Sequence, residues 1–587
     1  MIFNKTINCY YRKYWYCFFF GILALIGVDA IQLLLPEIIG NIVRAANENE
    51  LSMGFIGLQV LYILAIGLGI FAGRIIWRLL VEGVCHKIQA DLRRRLFIHC
   101  EALPKEYHSS HKTGGTMALL TNDTEAVSYT FSDGVIFFVD IAVLGTLAMI
   151  KMFLVNWALA LITIVPLVFL IFSGNILEKL ETKSYEAQQK AFEKMSDFTS
   201  ENLSGISVIK AFIKEKQQLK AFSNCANDHR TKALKFIRLD NAYNIIINGL
   251  IYISFALLLI IGGYLATNNV DLPLANPLTS DMLTEFYGYF DSLIWPMLAI
   301  VFLISTISRG KASCNRISEL LNTPISVKDD EGVVQNNQPL KGNIKIQNLT
   351  FAYPDGETPV LKDCSVEIKA GENIGIIGRT GSGKTTFVNM LLKLYNVPRE
   401  RIYIDGKDIN DISTIDLRNS IGYVAQDTFL FSTSIAENIA FAHPRISFDA
   451  IKRAAKFACV DDNIANFKEG YDTIVGERGV SLSGGQKQRI AMARAIINDP
   501  EILILDDSVS AVDSSTEKEI LSNIKRERKG KTTLIIAHRI SAIENLDHII
   551  ILDEGQIVGY GTHQELLESN TYYQDIVKLQ ELEKEVK

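Results

Sequence analysis

Nothing in the 587 residues pairs cysteine with cysteine at a metal-ligand spacing. The eight cysteines stand at 9, 17, 85, 100, 225, 314, 364 and 459, and none forms a C-x-x-C pair. That argues against a cysteine metal site and against a disulfide framework. A basic patch is missing as well. The formal net charge is −6 and is spread along the chain, so no footprint for nucleic acid exists. The second half lacks any long apolar run, whereas the residues before about 310 are crowded with them.

Those runs set the first expectation. A helix needs ~20 apolar residues to cross the hydrocarbon core. Six stretches qualify: Tyr14–Leu35, Gly54–Leu80, Asp133–Val155, Trp157–Ile176, Ile245–Ala266 and Glu285–Ile307. The first is too long for a signal peptide and has no small-residue cleavage pattern, so it reads as a retained span. Basic residues then fix the orientation. Lys87, Arg93, Arg94, Arg95, Lys105 and Lys112 lie between the second and third spans, and Lys179 to Arg238 is richer still. Arg44 is the sole basic residue of the first opposite loop, and Thr267–Thr284 has none. Both termini and both basic loops are therefore expected in the cytoplasm of a cell with an inner or plasma membrane. Lys, Asn and Ile enrichment suggests an AT-rich bacterial genome.

The two basic loops carry helical periodicity over Cys85–Ala102 and Glu178–Asn202. They read as helices that leave the membrane and return at short turns. One turn is expected at Thr113-Gly114-Gly115 with Leu119–Asp123, and the other at Ser204–Phe212. Ionisable residues inside spans are functional suspects. Asp29, Asp140 and Asp291 qualify, and Arg74 and Arg78 lie near the inner end of span two. Asp29 and Asp291 both sit about 10 Å inside the outer boundary at ~1.5 Å per residue. They could line one cavity and favour a cationic cargo, or be a structural pair or an acid facing the external vestibule.

Residues 321–342 turn polar, with Pro324, Pro339 and Asn336-Asn337, and read as a linker. The expected division is a membrane domain over 1–320, this linker, and a domain over 343–587 whose alternating strands and helices are α/β. The C-terminal Leu579–Lys587 reads as a charged, solvated helix end.

The α/β part opens on Gly378-Arg379-Thr380-Gly381-Ser382-Gly383-Lys384-Thr385, with Thr386 next. It matches G-x-x-x-x-G-K-[ST], between the apolar run Ile374–Ile377 and the helix-like Phe387–Leu392. Glycines let backbone N–H groups close on phosphate oxygens, and the helix start favours the same anion. Lys384 can neutralise phosphate charge, and Thr385 can ligate Mg²⁺. Polar residues also terminate three other apolar strands. These are Asp506 and Asp507 after Ile502–Leu505, His538 after Thr533–Ala537, and Gln426 after Ile421–Ala425. Open α/β sheets bind ligands at such ends. Asp506 and Gln426 join Thr385 as expected Mg²⁺ contacts, and His538 can reach a terminal phosphate.

A second anion site is predicted at Leu482-Ser483-Gly484-Gly485-Gln486, before the helical stretch Lys487–Ile497. One fold cannot easily aim both sites at one nucleotide. A dimer resolves this, with Ser483–Gln486 capping a nucleotide held by a partner subunit.

This ordered set resembles the ATP-binding cassette (ABC) half-transporters of the six-span exporter type, and the resemblance covers nearly the whole chain. It implies six membrane helices fused to an α/β nucleotide-binding domain, ATP and Mg²⁺ as ligands, and transport by alternating access. It also implies roles for single residues. Tyr353 would stack on adenine, unless it is a strand-packing tyrosine. Ser510-Ala511-Val512-Asp513 would link two nucleotide sites. Gly476-Glu477-Arg478-Gly479 and the turns near Gly114 and Gly205 would couple the cassette to the membrane helices. Cargo is left open among drugs, lipids, peptides and porphyrins, as is direction, and an ATP-gated channel or regulatory subunit is the rival class.

One position departs from the family pattern. Active members carry glutamate after the Mg²⁺-binding aspartate, and here Asp507 stands there. Its carboxylate is set back by ~1.5 Å, one C–C bond. A general base must come within about 2.6–3.2 Å of its proton, or act through one water. The expectation is a chain that holds ATP well and hydrolyses it poorly, paired with a different half-transporter, with a slow homodimer as the alternative.

Overall fold

Length and hydropathy shape the first half. In a computed structural model of the chain, six helices among the described residues are long and apolar enough to cross a membrane: Trp15–Asn47, Met53–Ala102, Thr113–Val155, Trp157–Ser204, Glu215–Thr267 and Ser280–Asn322. The structure describes residues 5–585 except 112, 269–277, 331, 336–339, 355, 357, 477–481 and 510–511. Along Met53–Ala102, Leu61, Leu64, Leu68, Phe71, Ile75 and Leu79 are exposed at three- and four-residue spacing. Such a stripe suits hydrocarbon, not water.

Inward faces pack through small and polar residues. Gly310 lies so close to Thr130 that a Cβ there would fall 2.0 Å from Thr130 Oγ1. The Thr130 hydroxyl donates to the Thr306 carbonyl at 3.3 Å, a short-range contact typical of membrane helix pairs. Asp123 ends a π-helical turn, Leu119–Asp123. It is buried, accepts from Ser313 Oγ at 2.7 Å and pairs with Arg316. This ties the third long helix to the last.

Two expectations about this half change. The first inner turn is not at Gly114-Gly115. Met53–Ala102 stops just before Pro104, Lys105–Ser110 forms a short helix, and Thr113–Ala118 is already helical. Pro104 is the breaker, since the residue before a proline disfavours the helical region. Neither Gly114 nor Gly115 has the positive φ that a turn would demand. The second turn lies where expected, with Trp157–Ser204 ending at Gly205 and Ile206–Ala211 as a short helix. The acids also pair differently. Asp29 is buried within electrostatic reach of Asp140 and Arg74. Asp140 accepts from Trp295 Nε1 at 2.7 Å, while Asp291 is exposed. Counting residues fixes depth in a membrane but not the direction a side chain takes around the helix.

The chain divides into two compact units, one ending at Thr323 and one resuming at Pro324; the stretch from Ala102 that carries helix Lys105–Ser110 groups with the second. The second unit is α/β. Its strands are β1 (Ile344–Phe351), β2 (Leu361–Ile368), β3 (Asn373–Ile377), β4 (Ile402–Ile404), β5 (Lys407–Asp408), β6 (Ile421–Val424), β7 (Ile502–Asp506), β8 (Thr532–Ile536), β9 (His548–Asp553) and β10 (Gln556–Gly561). A four-stranded antiparallel sheet has the order β2-β1-β4-β5. The six-stranded sheet has the order β10-β9-β3-β8-β7-β6, parallel throughout except for β9 with β10. Every residue of β7 and β8 is buried, which explains the apolar runs Ile502–Leu505 and Leu534–Ile536 within them. β1 faces the core on alternate residues, as Ile344 and Ile346 show.

Candidate functional site

The parallel sheet brings its carboxyl ends to one place. β3 leads into the phosphate loop, β7 ends at Asp506, β8 stops two residues before His538, and β6 two before Gln426. Together they line a cleft of about 230 Å³ with Thr380, Gly381, Gly383, Lys384, Thr385, Thr386, Gln426, Asp506, Asp507 and His538 on its walls. Gly378, Arg379 and Ser382 complete the loop. Gly381 and Gly383 have φ of +84° and +98°, and a Cβ on Gly378 would strike the Leu552 carbonyl at 2.0 Å. Only glycine suits those positions.

Lys384 opens helix Lys384–Leu391 and folds back, its Nζ donating to the Gly378 and Arg379 carbonyls at 2.8 Å each. Burial holds its ammonium below the usual lysine range, against the opposing pull of Asp506 and Asp507. Asp506 is 1 % exposed, and burial pushes its carboxyl above the usual range despite a hydrogen bond from Thr385. Asp506 Oδ2 and Ser382 Oγ are buried with no protein partner. A buried carboxylate oxygen beside a threonine hydroxyl suits a hard cation, and a buried hydroxyl suits a phosphate oxygen. Mg²⁺ needs few protein ligands because it keeps its waters.

Asp507 is half-buried, with its backbone at φ +47° and its N–H bound to the Ile536 carbonyl at 3.0 Å. Aspartate tolerates that left-handed region better than most residues. Its Oδ2 lies 4.0 Å from His538 Nε2, beyond a direct hydrogen bond. Tyr353 is half-buried; its hydroxyl meets Thr386 Oγ1 at 2.8 Å, and Phe351 and Tyr395 touch its ring edge-on.

Ser483, Gly484, Gly485, Gln486 and Asp513 are not on the cleft wall. Ser483 caps helix Gly484–Ile496 in a box with Gln486, each accepting from the other's backbone N–H. Asp513 caps helix Ser514–Glu527. Bonds from Ser515 and Thr516 hold its carboxyl well below the usual range. Glu477, Arg478, Gly479, Ser510, Ala511, Lys112, Asn336, Asn337 and Pro339 lie outside the described residues.

Three contributors escape the motifs. Val360 and Ile536 line the cleft, and Gln580 holds the backbone around His538. Gln580 Nε2 donates to the His538 carbonyl at 2.7 Å, and the Ile540 N–H donates to Gln580 Oε1 at 2.8 Å. The C-terminal helix is therefore not merely solvated at this point, although Leu579 and Leu582 around it are exposed. No local pattern marks Gln580, because its partners lie 40 and 42 residues away.

Known proteins match the chain over most of its length. Residues 18–297 match the family described as the ABC transporter transmembrane region, and residues 361–510 match that described as ABC transporter. The chain is 33% identical to the multidrug resistance-like ATP-binding protein MdlA of Buchnera aphidicola subsp. Schizaphis graminum, over 100% of this chain and 99% of that one. It is 32% identical to MdlA of Escherichia coli K12 over 98% and 96% of the two chains. A solved bacterial Atm1-family ABC exporter with ATP bound superposes with a TM-score of 0.80 at 26% identity, over 95% of this chain and 98% of that one.

Proposed function

We propose, for a chain that belongs to the ATP-binding cassette transporters and is a multi-pass, ATP-driven exporter half, that its own nucleotide cleft binds ATP durably and hydrolyses it poorly. The observation that carries this reading is Asp507, with its shortened carboxylate 4.0 Å from His538. Half-transporters of this family work as dimers. On this reading the partner is a different half-transporter, and Ser483–Gln486 of this chain completes the partner's competent site. A homodimer in which Asp507 acts slowly is the alternative.

Each residue then has a task. The loop N–H groups and Lys384 hold the phosphates, Ser382 and Thr386 add hydroxyls, and Tyr353 flanks the adenine. Thr385, Asp506 and Gln426 would hold Mg²⁺, which would neutralise charge between the phosphates. His538 contacts the terminal phosphate. Asp513, rigidly ionised at its helix cap, lies on the loop that links the two sites. Closure of two cassettes on ATP favours the outward-open cavity only because ATP binds the closed state better. The division at 320 and 343 and the cytoplasmic placement of both termini belong to the same reading. The relatives named for multidrug resistance point to amphipathic small molecules as cargo.

The test is ATPase activity. The purified chain alone should hydrolyse ATP slowly, and Asp507→Glu should raise turnover of the assembled pair about tenfold, less than the 10²–10⁴-fold that general-base catalysis can contribute. Brisk hydrolysis by the chain alone, abolished by Asp507→Asn, would sink the proposal in favour of the homodimer.

A further inference from the structure

The C-terminal helix Thr571–Glu585 reaches two parts of the cleft that the motifs leave unconnected. At one point, the Tyr572 ring lies under the Arg379 guanidinium, 5.5 Å from centroid to carbon, and Arg379 belongs to the phosphate loop. Two turns on, ~12 Å along the axis, the Gln580 amide brackets Arg539. It donates to the His538 carbonyl at 2.7 Å and accepts from the Ile540 N–H at 2.8 Å. Only one orientation of the amide satisfies both bonds, because the reverse would face donor to donor. The pair imitates a short piece of β-ladder placed beside the chain that carries His538.

The other side of this segment is held less tightly. Arg539 Nη1 is 3.8 Å from Glu517 Oε2, and Ser541 Oγ is 3.4 Å from Glu517 Oε1. Glu517 lies on the helix capped by Asp513. His538 itself is exposed, and its Nε2 lies 4.0 Å from Asp507 Oδ2. Its position is therefore set through its backbone, and the shortest bonds on that backbone's flanks come from Gln580.

We propose that Gln580 is a positioning residue for His538, and that the C-terminal helix braces His538 against the phosphate loop. The proposal rests on the reading that His538 contacts the terminal phosphate. Gln580 does not line the cleft, so it acts on the rate through His538 and leaves ATP affinity alone. Removing the amide frees the histidine's backbone to drift from the phosphate, and a misplacement of about 1 Å at a reacting centre is enough to slow chemistry up to a hundredfold.

The experiment is a double-mutant cycle on the assembled transporter in lipid nanodiscs, with the partner's phosphate-loop lysine replaced by alanine so that the slow turnover of this chain's own cleft is what is read. Gln580→Ala is expected to lower kcat for ATP hydrolysis about tenfold. KM for ATP should stay within about twofold, the pattern of a lost transition-state interaction. In the His538→Ala background it should lower kcat no further, because coupled residues are not additive. Gln580→Glu keeps the acceptor for the Ile540 N–H and loses the donor, so it should fall between. Hydrogen exchange at the Ile540 amide should quicken in Gln580→Ala. Equal loss with and without His538 would show a general structural role and overturn the proposal alone. An unchanged kcat, or unchanged exchange at Ile540, would overturn it too. If His538→Ala by itself has no effect, the phosphate-contact reading fails, and the proposal fails with it.

Discussion

The second unit has two glycine-rich helix starts, and they are built in opposite ways. The phosphate loop turns inward. Lys384 is buried on the loop's own carbonyls, and Ser382 Oγ and Asp506 Oδ2 are buried without a protein partner. The start at Ser483–Gln486 turns outward. Ser483 and Gly484 are exposed, and no atom lies within 4 Å of where a Cβ on Gly484 would be. Its capping box is closed on itself at 3.3 and 2.9 Å. The first site has polar groups whose needs only a ligand meets. The second is locally satisfied and, among the described residues, nothing faces Gly484 from across it. A helix start with free N–H groups becomes an anion site only when something closes over it, and this difference is what makes a dimer a physical requirement of the proposed assignment.

The comparison breaks most visibly at Lys384. Lys384→Ala removes the buried cation that the proposal places on the phosphates. ATP binding by the chain alone should weaken about a hundredfold, within the ~2–5 kcal/mol range of truncating a buried charged contact. A fluorescent-nucleotide titration reads it, and an affinity within a few-fold of the parent's would mean that the cleft holds ATP by other groups.

Ser483→Ala sharpens the contrast. ATP binding by the isolated chain should stay put, because Ser483 does not line the cleft. ATPase activity of the assembled transporter should fall at least about tenfold, somewhat less than the 10²–10³ of a lost oxyanion-type donor. The cap itself is worth only ~1 kcal/mol of helix stability, so a thermal melt separates the two effects. Weakened binding by the isolated chain would put Ser483 at its own subunit's nucleotide and remove the reason for a partner.

The cleft was legible in the sequence because its polar groups either end apolar strands or sit on the loop and helix that follow one, and strand order in a parallel sheet gathers such ends. Gln426, Asp506, Asp507 and His538 met in the first way, and Lys384 in the second. The membrane helices were legible as lengths but not as orientations. Counting residues puts Asp29 and Asp291 at one depth, yet Asp29 lies within electrostatic reach of Asp140 and Arg74 while Asp291 is exposed. The first turn between the long helices lies at Pro104 and not at Gly114-Gly115, because proline is the stronger breaker. Gln580 left no trace at all. A side-chain amide that pairs with distant backbone has no periodicity, and only the folded chain brings it to His538.

The smallest effect is a matter of sign. Asp506 is buried with one oxygen unpartnered, and burial raises its folded-state pKa. For an acid so shifted, the ionised form costs stability at pH values above the folded pKa. That cost is relieved as pH falls through the folded pKa toward the unfolded one. Asp506→Asn cannot ionise and escapes the cost. In the absence of divalent cations at neutral pH it should therefore melt higher than the parent, by about 2–4 °C for each kcal/mol in a domain of this size. The gap should narrow on acidification, because the parent's carboxyl then gains its proton. Added Mg²⁺ with ATP should reverse the order, since the proposed cation partner stabilises the parent's carboxylate and has less to hold in the variant. Equal melting points at every pH would show that Oδ2 finds a partner in solution. The phosphate loop would then lose the unmet demand that separates it from the start at Ser483.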